Sequence, residues 1–332
     1  MQDIYIKIYK KTFFLFIRLL RIFTKKFDKK ISLFLSKTKW SSGYFPETLE
    51  VTTTVGCAMM CDYCPQEAYK KNGKEYPKVL SFDTFKDAMK NVDNKVKIHW
   101  TGFSEPLHCK EFTLMADYLN ERGFKQHIST TMFGRDHCRE YMCETRVFEQ
   151  MVYHLPDNNN RMHLKVTDKY LDYLEKSITF QSQIISKKKF TVMVIGNDFQ
   201  KQVRELIDRL LNKKVILESQ IYIRKLLVTR AGSVQVDDIE GFDQQISFSK
   251  KKFNKNNKKL FYCGYGRLKQ GVLLTNGTLA ICANDYSIDH NVGSLIDNKL
   301  DDLYKHKKLF SNDEFIYGEK SPCKNCEFYE SL

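Results

Sequence analysis

Hydrophobic and polar positions change period repeatedly along the chain. The run Leu49-Glu50-Val51-Thr52-Thr53-Thr54-Val55 is β-branched and predicts a first strand. Ser81 then predicts a helix cap ahead of Phe82, Phe85, Met89 and Val92, which recur at helical spacing. Residues 95–101 alternate as a strand and run into Gly102-Phe103-Ser104-Glu105-Pro106. A helical stretch near 111–122 and, after Gly123, a strand over 126–131 come next. Residues 150–157 read as a strand entering a loop, and Thr167 opens a helix containing Tyr170, Leu171 and Leu174. An almost wholly apolar strand spans 190–196, helical periodicity spans 199–211, and 221–228 predicts a last strand. Six alternating strand–helix units imply a parallel sheet, whose ligands bind at the carboxyl ends of the strands.

The pattern changes after this alternation. Residues 240–259 are polar and lysine-rich, as expected of a solvated linker. Beyond them Asn276-Gly277 separates Val272-Leu273-Leu274 from Leu279-Ala280-Ile281, a strong hairpin signal. The chain therefore divides into a basic tail (1–45), an α/β body (46–238), a linker (239–259) and a small carboxyl-terminal α+β unit (260–332).

Charge changes this picture at one end only. Residues 1–40 hold eleven Lys or Arg against Asp3 and Asp28, nine of the fourteen excess positive charges. A body so near neutrality is a poor nucleic-acid surface, and no nucleic-acid partner is expected. Within the tail, residues 13–23 are strongly apolar but carry Arg18 and Arg21. The run is too short and too charged to span a bilayer, and no small-residue cleavage site follows it. Lys7, Lys11, Arg18, Lys25 and Lys29 share one helical stripe, with Phe16, Leu20, Phe23 and Phe27 on the other side. Such a helix suits an anionic membrane surface; its apolar face could equally pack on the body. A cytoplasmic protein is expected, peripheral to the inner membrane face if the first of these readings holds.

Candidate chemistry lies in the cysteines. Seven of the ten fall in metal-like spacings, which suits a reducing, intracellular setting; Cys109, Cys138 and Cys143 read as plain thiols. Cys57, Cys61 and Cys64 crowd one loop directly after the first strand, and thiolates are the soft ligands of iron–sulfur clusters. Three ligands would leave one iron of a cubane open. A zinc knuckle is the plainer reading. His154 and Asp157 are candidates to face the pocket, His154 as a proton carrier, although a lone strand-end His is often structural.

The C-x3-C-x2-C spacing with Tyr63 before the last cysteine resembles the signature of radical S-adenosylmethionine (SAM) enzymes. The resemblance implies a partial (β/α)6 TIM-like barrel in which Cys57, Cys61 and Cys64 hold a [4Fe-4S] cluster and SAM chelates the fourth iron. It places Tyr63 near the adenine. Gly102 to Pro106 is similar to the family's Gly-Gly-Glu-Pro element, with Phe103 and Ser104 at the glycine positions; Gly102, Ser104 and Glu105 are then expected at the SAM amino group. Ser129 and Thr131 resemble strand-end residues that reach SAM, though ordinary capping would also account for them.

Cys263, Cys282, Cys323 and Cys326, spaced around Gly277, resemble the shortened twitch form of the SPASM domain. That implies an auxiliary [4Fe-4S] cluster, with a four-cysteine zinc site as the other reading. Asp285, with Tyr286 beside it, is then a candidate base on the substrate side. The resemblance covers 46–332 and implies a radical SAM oxidoreductase or epimerase, with a small-molecule or glycan-type substrate of a surface-polysaccharide pathway. It also implies a flavodoxin- or ferredoxin-type reductant. A peptide-modifying maturase and a non-catalytic iron–sulfur carrier or sensor are the alternatives.

Overall fold

A computed structural model describes residues 47–228, 230, 231, 233, 234, 239, 261–263, 270–288, 291–305, 326 and 329–331. The basic tail, most of the linker and Cys323 lie outside the described residues. Strands β1 (Thr48–Val51), β2 (Lys97–Trp100), β3 (Gln126–Thr130), β4 (Phe148–His154), β5 (Phe190–Ile195) and β6 (Ile221–Arg224) are all parallel and lie side by side in chain order. Between them run helices α1 (Gln66–Asn72), α2 (Phe82–Met89), α3 (Phe112–Glu121), α4 (Asp136–Met142), α5 (Asp168–Ile184) and α6 (Lys201–Asn212). Strand order that never reverses is the winding of a barrel, not of a doubly wound sheet. The protein is thus a mixed α/β molecule built on a central parallel sheet.

Burial shows which face the helices cover. Leu49, Val51, Ile98, Trp100, Ile128, Met151, Tyr153, Val192 and Val194 are fully buried on one side. Trp100 meets Phe85 of α2 and Phe112 of α3, and its indole N–H donates to Gln126 Oε1 at 2.8 Å. Gln126 Nε2 in turn donates to the Ala116 carbonyl of α3 at 2.8 Å. Burying each large side chain contributes about 1.5–3 kcal/mol. On the opposite face His99, His127, Ser129, Gln150, His154 and Thr191 are only half-buried. Glu50, His99, His127 and Gln150 stand in register across four strands there. A parallel sheet covered on both faces is apolar on both; this one keeps a polar, open face.

The six predicted strands form where the alternation places them, but two end early. The first stops at Val51, not at Val55, because Thr53 N and Thr54 N donate to Ser104 Oγ at 3.1 and 3.2 Å instead of to a neighbouring strand. The sixth stops at Arg224. Ser81 and Thr167 cap their helices as expected, accepting from Thr84 N and Tyr170 N.

The Asn276-Gly277 turn joins β8 (Gln270–Leu273) to β9 (Thr278–Ala280) as an antiparallel hairpin, with Gly277 at φ +80°. Its placement adds something the sequence did not foretell. Strand β8 lies parallel to β1, and β10 (Asn291–Ser294) continues beyond β9, so the hairpin extends the main sheet. Asn91, just after α2, fastens it: Asn91 Nδ2 donates to the Leu295 and Ile296 carbonyls at 2.9 Å each. Helix α7 (Leu300–Lys305) follows. Separately, β7 (Phe261–Cys263) pairs antiparallel with β11 (Tyr329–Ser331). Among the described residues no helix is long and apolar enough to cross a membrane.

Candidate functional site

The cysteine loop leaves the carboxyl end of β1. Met60 at φ +48° and Gly56 at φ +89° turn the backbone, and Cys64 N donates to the Cys61 carbonyl at 2.9 Å. The loop is pinned from the β4 side: Asp62 N donates to the Arg161 carbonyl at 2.9 Å, and His163 Nε2 lies 2.6 Å from Asp62 Oδ1. Cys57, Cys61 and Cys64 are all half-buried free thiols. Burial pushes the Cys57 thiol up to about 11. Cys61 is driven higher, first by burial and then by the neighbouring sulfurs of Cys64 and Cys57. Burial thus disfavours the thiolate at Cys57 and Cys61, and a bound metal would draw off those protons. Among the described residues no three His, Cys, Asp or Glu side chains converge on a single metal ion. A cubane gives each cysteine its own iron, so three soft donors spread over one loop fit such a cluster.

The segment from Gly102 to Glu105 is stitched to the start of that loop. Phe103 N donates to Thr52 Oγ1 at 3.1 Å, and Ser104 Oγ accepts from the two threonine amides above. Gly102, at φ +48°, lies so close to Val51 and Thr52 that a Cβ would collide with their backbone. Glu105 is 4% exposed and its carboxylate is fully engaged. Oε1 accepts from Thr130 Oγ1 at 2.6 Å and Leu107 N at 3.2 Å; Oε2 accepts from Thr131 N at 2.8 Å and Thr131 Oγ1 at 2.7 Å. Four donors occupy the carboxylate's acceptor positions, so Glu105 ties the end of β2 to the end of β3. Its carboxyl nonetheless lies above the usual carboxylate range, because burial outweighs those donors. Ser129, one residue from this knot, bonds to His99 Nε2 at 2.9 Å.

Across the loop, His154 ends β4 with Nε2 at 3.4 Å from the Tyr63 hydroxyl. Burial, then the charges of Arg224 and Arg230, hold the imidazole down to about 4. It is therefore neutral at pH 7. Burial keeps the Tyr63 phenol protonated, and the imidazole tautomer decides which of the two groups donates. Asp157 does not join them. Fully buried, it pairs with Arg161 at 2.9 Å and accepts the Arg161 amide at 2.8 Å, holding the loop after β4.

The carboxyl-terminal cysteines gather along a second line. Asn284 N donates to Cys282 Sγ at 3.4 Å, and Asn284 Nδ2 lies 4.0 Å from Cys326 Sγ. Pairing of β7 with β11 sets Cys263 opposite Tyr329, three residues beyond Cys326. Three of the four predicted positions thus share one region; Cys323 lies outside the described residues. Asp285 is fully buried, its amide bonded to the Cys282 carbonyl at 3.0 Å. Tyr286 bridges the two cysteine sets: it packs on Phe103 at 4.4 Å and its hydroxyl is 3.5 Å from Cys64 Sγ.

Sequence reasoning did not single out Gln66, His99 or Thr130. Gln66 follows Cys64-Pro65 directly, and a buried amide beside a metal-like cysteine would have been the available signal. Nothing in the local pattern marks His99 or Thr130, whose partners lie on neighbouring strands.

Fold and site together define an α/β protein with a thiol-bearing loop at the carboxyl end of a singly wound parallel sheet. No family model matches the chain, and neither does any curated protein sequence. Among solved structures the chain is similar to Streptococcus suis SuiB bound to precursor peptide SuiA, at 12% identity and TM-score 0.49 over 90% of this chain and 74% of that one. It is also similar to BtrN in complex with AdoMet and 2-DOIA, at 15% identity and TM-score 0.47 over 87% of this chain and 94% of that one. A third is native anSMEcpe with bound AdoMet, at 13% identity and TM-score 0.41 over 84% of this chain and 86% of that one.

Proposed function

We propose that the chain is a radical SAM enzyme. The carrying observation is the loop at the carboxyl end of β1 that sets Cys57, Cys61 and Cys64 side by side as half-buried free thiols, backed by the Glu105 knot. Those three cysteines would hold a [4Fe-4S] cluster with one open iron. With SAM bound there, the cluster supplies one-electron cleavage to a 5′-deoxyadenosyl radical that abstracts hydrogen from substrate. The chain's own part is positioning. Ser104 and Thr52 fix the loop's entry, Asp62 and His163 its far side, and Tyr63 lies between the cysteines and a neutral His154. His154 is the proposed proton carrier at the end of β4, with Nε2 at 3.4 Å from the Tyr63 hydroxyl.

Cys263, Cys282, Cys323 and Cys326 form the second ligand set, for an auxiliary [4Fe-4S] cluster. With Asn284 and the buried Asp285 beside Cys282, such a cluster would suit an oxidation, in which the substrate radical left by hydrogen abstraction loses a proton and an electron. The polar open face of the sheet, with His99, His127, Ser129, Gln150 and Thr191, supports a hydroxyl-rich, carbohydrate-type substrate over an apolar one. A small reductant protein would supply the electron, and the basic tail is the part that would meet an anionic membrane.

Anaerobic reconstitution followed by an iron count and an assay for 5′-deoxyadenosine tests the reading. About eight irons per chain is expected, falling to about four when Cys282 is replaced by Ala. Eight irons with no 5′-deoxyadenosine would leave an electron carrier; no iron at all would end the reading.

A further inference from the structure

Cys64 differs from the other two cysteines of its loop in having two polar side chains aimed at its sulfur. Gln66 Nε2 donates to Cys64 Sγ at 3.3 Å and also to the Phe103 carbonyl at 2.8 Å. The second bond fixes the amide's orientation, since a flipped amide would set oxygen against oxygen. Gln66 is 3% exposed, and its Oε1 has no hydrogen-bond partner. A buried, unpartnered carbonyl oxygen is costly, and a chain that retains one is keeping the other end of the amide for a reason. Tyr286, also 3% exposed, places its hydroxyl 3.5 Å from the same sulfur. In the free thiol the S–H donates to that hydroxyl. Once the sulfur has lost its proton to a metal, the hydroxyl becomes the donor. Phe103, 4.4 Å from Tyr286 and 5.1 Å from Tyr69, holds the phenol in place.

Resting on the reading above, we propose that Gln66 and Tyr286 are positioning residues that clamp the Cys64 sulfur with two donors and thereby raise the reduction potential of the cluster on the 57–64 loop. A reduced cluster carries one more negative charge than an oxidised one. Donors aimed at a ligand sulfur therefore favour the reduced form. Gln66 belongs to the loop's own helix, α1. Tyr286 belongs to the carboxyl-terminal unit, four residues after Cys282, and Asp285 N bonded to the Cys282 carbonyl makes that connection a tight turn. The carboxyl-terminal unit is thus a determinant of how readily the amino-terminal cluster accepts its electron.

Potentiometric titration of the reconstituted full chain, followed by the paramagnetic signal that responds to added SAM, tests this. Tyr286→Phe and Gln66→Leu should each shift the midpoint to more negative potential, and the double variant further. Tyr69→Leu, which loosens the same packed cluster one layer behind Phe103 without removing a donor or a direct neighbour of the phenol, should leave it in place. Site-specific 3-fluorotyrosine at position 286, a stronger donor of nearly the same size, should shift it positive. Unmoved potentials in an assembled cluster overturn the inference and leave the reading of the enzyme standing. An equal shift in Tyr69→Leu also overturns it, by tracing the effect to packing. Wild-type chain that assembles no cluster overturns both.

Discussion

Thr130 looks like an ordinary strand residue, yet its hydroxyl makes the 2.6 Å bond that holds Glu105 Oε1. Thr130→Val keeps the shape and removes the donor, leaving that buried oxygen with Leu107 N alone. The expected cost is about 1–3 kcal/mol, read as a lower urea midpoint with an unchanged slope. An unchanged midpoint would mean that Thr131 and Leu107 suffice to hold the carboxylate. Glu105 itself was legible because Glu-Pro after a strand is a visible motif. What it bonds to was not, since both threonines lie 25 and 26 residues further on. The same divide separates Asp157 from His154. Both end one strand in the sequence, and only the coordinates show that Asp157 is taken by Arg161 while His154 meets Tyr63.

Elements with strong periodicity were the readable ones. Helices α2, α3, α5 and α6 repeat their apolar positions over two turns or more, and each forms within a residue or two of the expected place. The seven-residue helices α1 and α4 offer too little pattern, and α1 owes its place to Gln66 and Tyr69 burying against Phe103 and the hairpin. Between elements the decisive contacts are polar. Gln126 joins β2 to α3 by accepting from the Trp100 indole and donating to the Ala116 carbonyl. Gln126→Leu would strand the Trp100 indole N–H in a dry layer, so a loss of about 1–3 kcal/mol is expected from that unmet bond. Indole fluorescence during unfolding would report it. A loss under ~0.5 kcal/mol would show that water reaches that layer.

At the scale of the whole molecule, the parallel run from β1 to β6 could be anticipated from alternation, and the hairpin from Asn276-Gly277. That β8 lies against β1 could not be: nothing local in either strand names the other, and about 220 residues separate them in sequence. This single pairing has a consequence for biogenesis. While the chain is being made, the strand that leads into the cysteine loop waits with one edge bare until residues beyond 270 emerge. A polypeptide halted at residue 259 should therefore associate with copies of itself, visible as rapid sedimentation, and adding a peptide of residues 260–332 during refolding should suppress it. Monomeric behaviour of the shortened chain would show that another part of the protein shields that edge. A segment made about 220 residues later would then be what makes β1 safe from its neighbours.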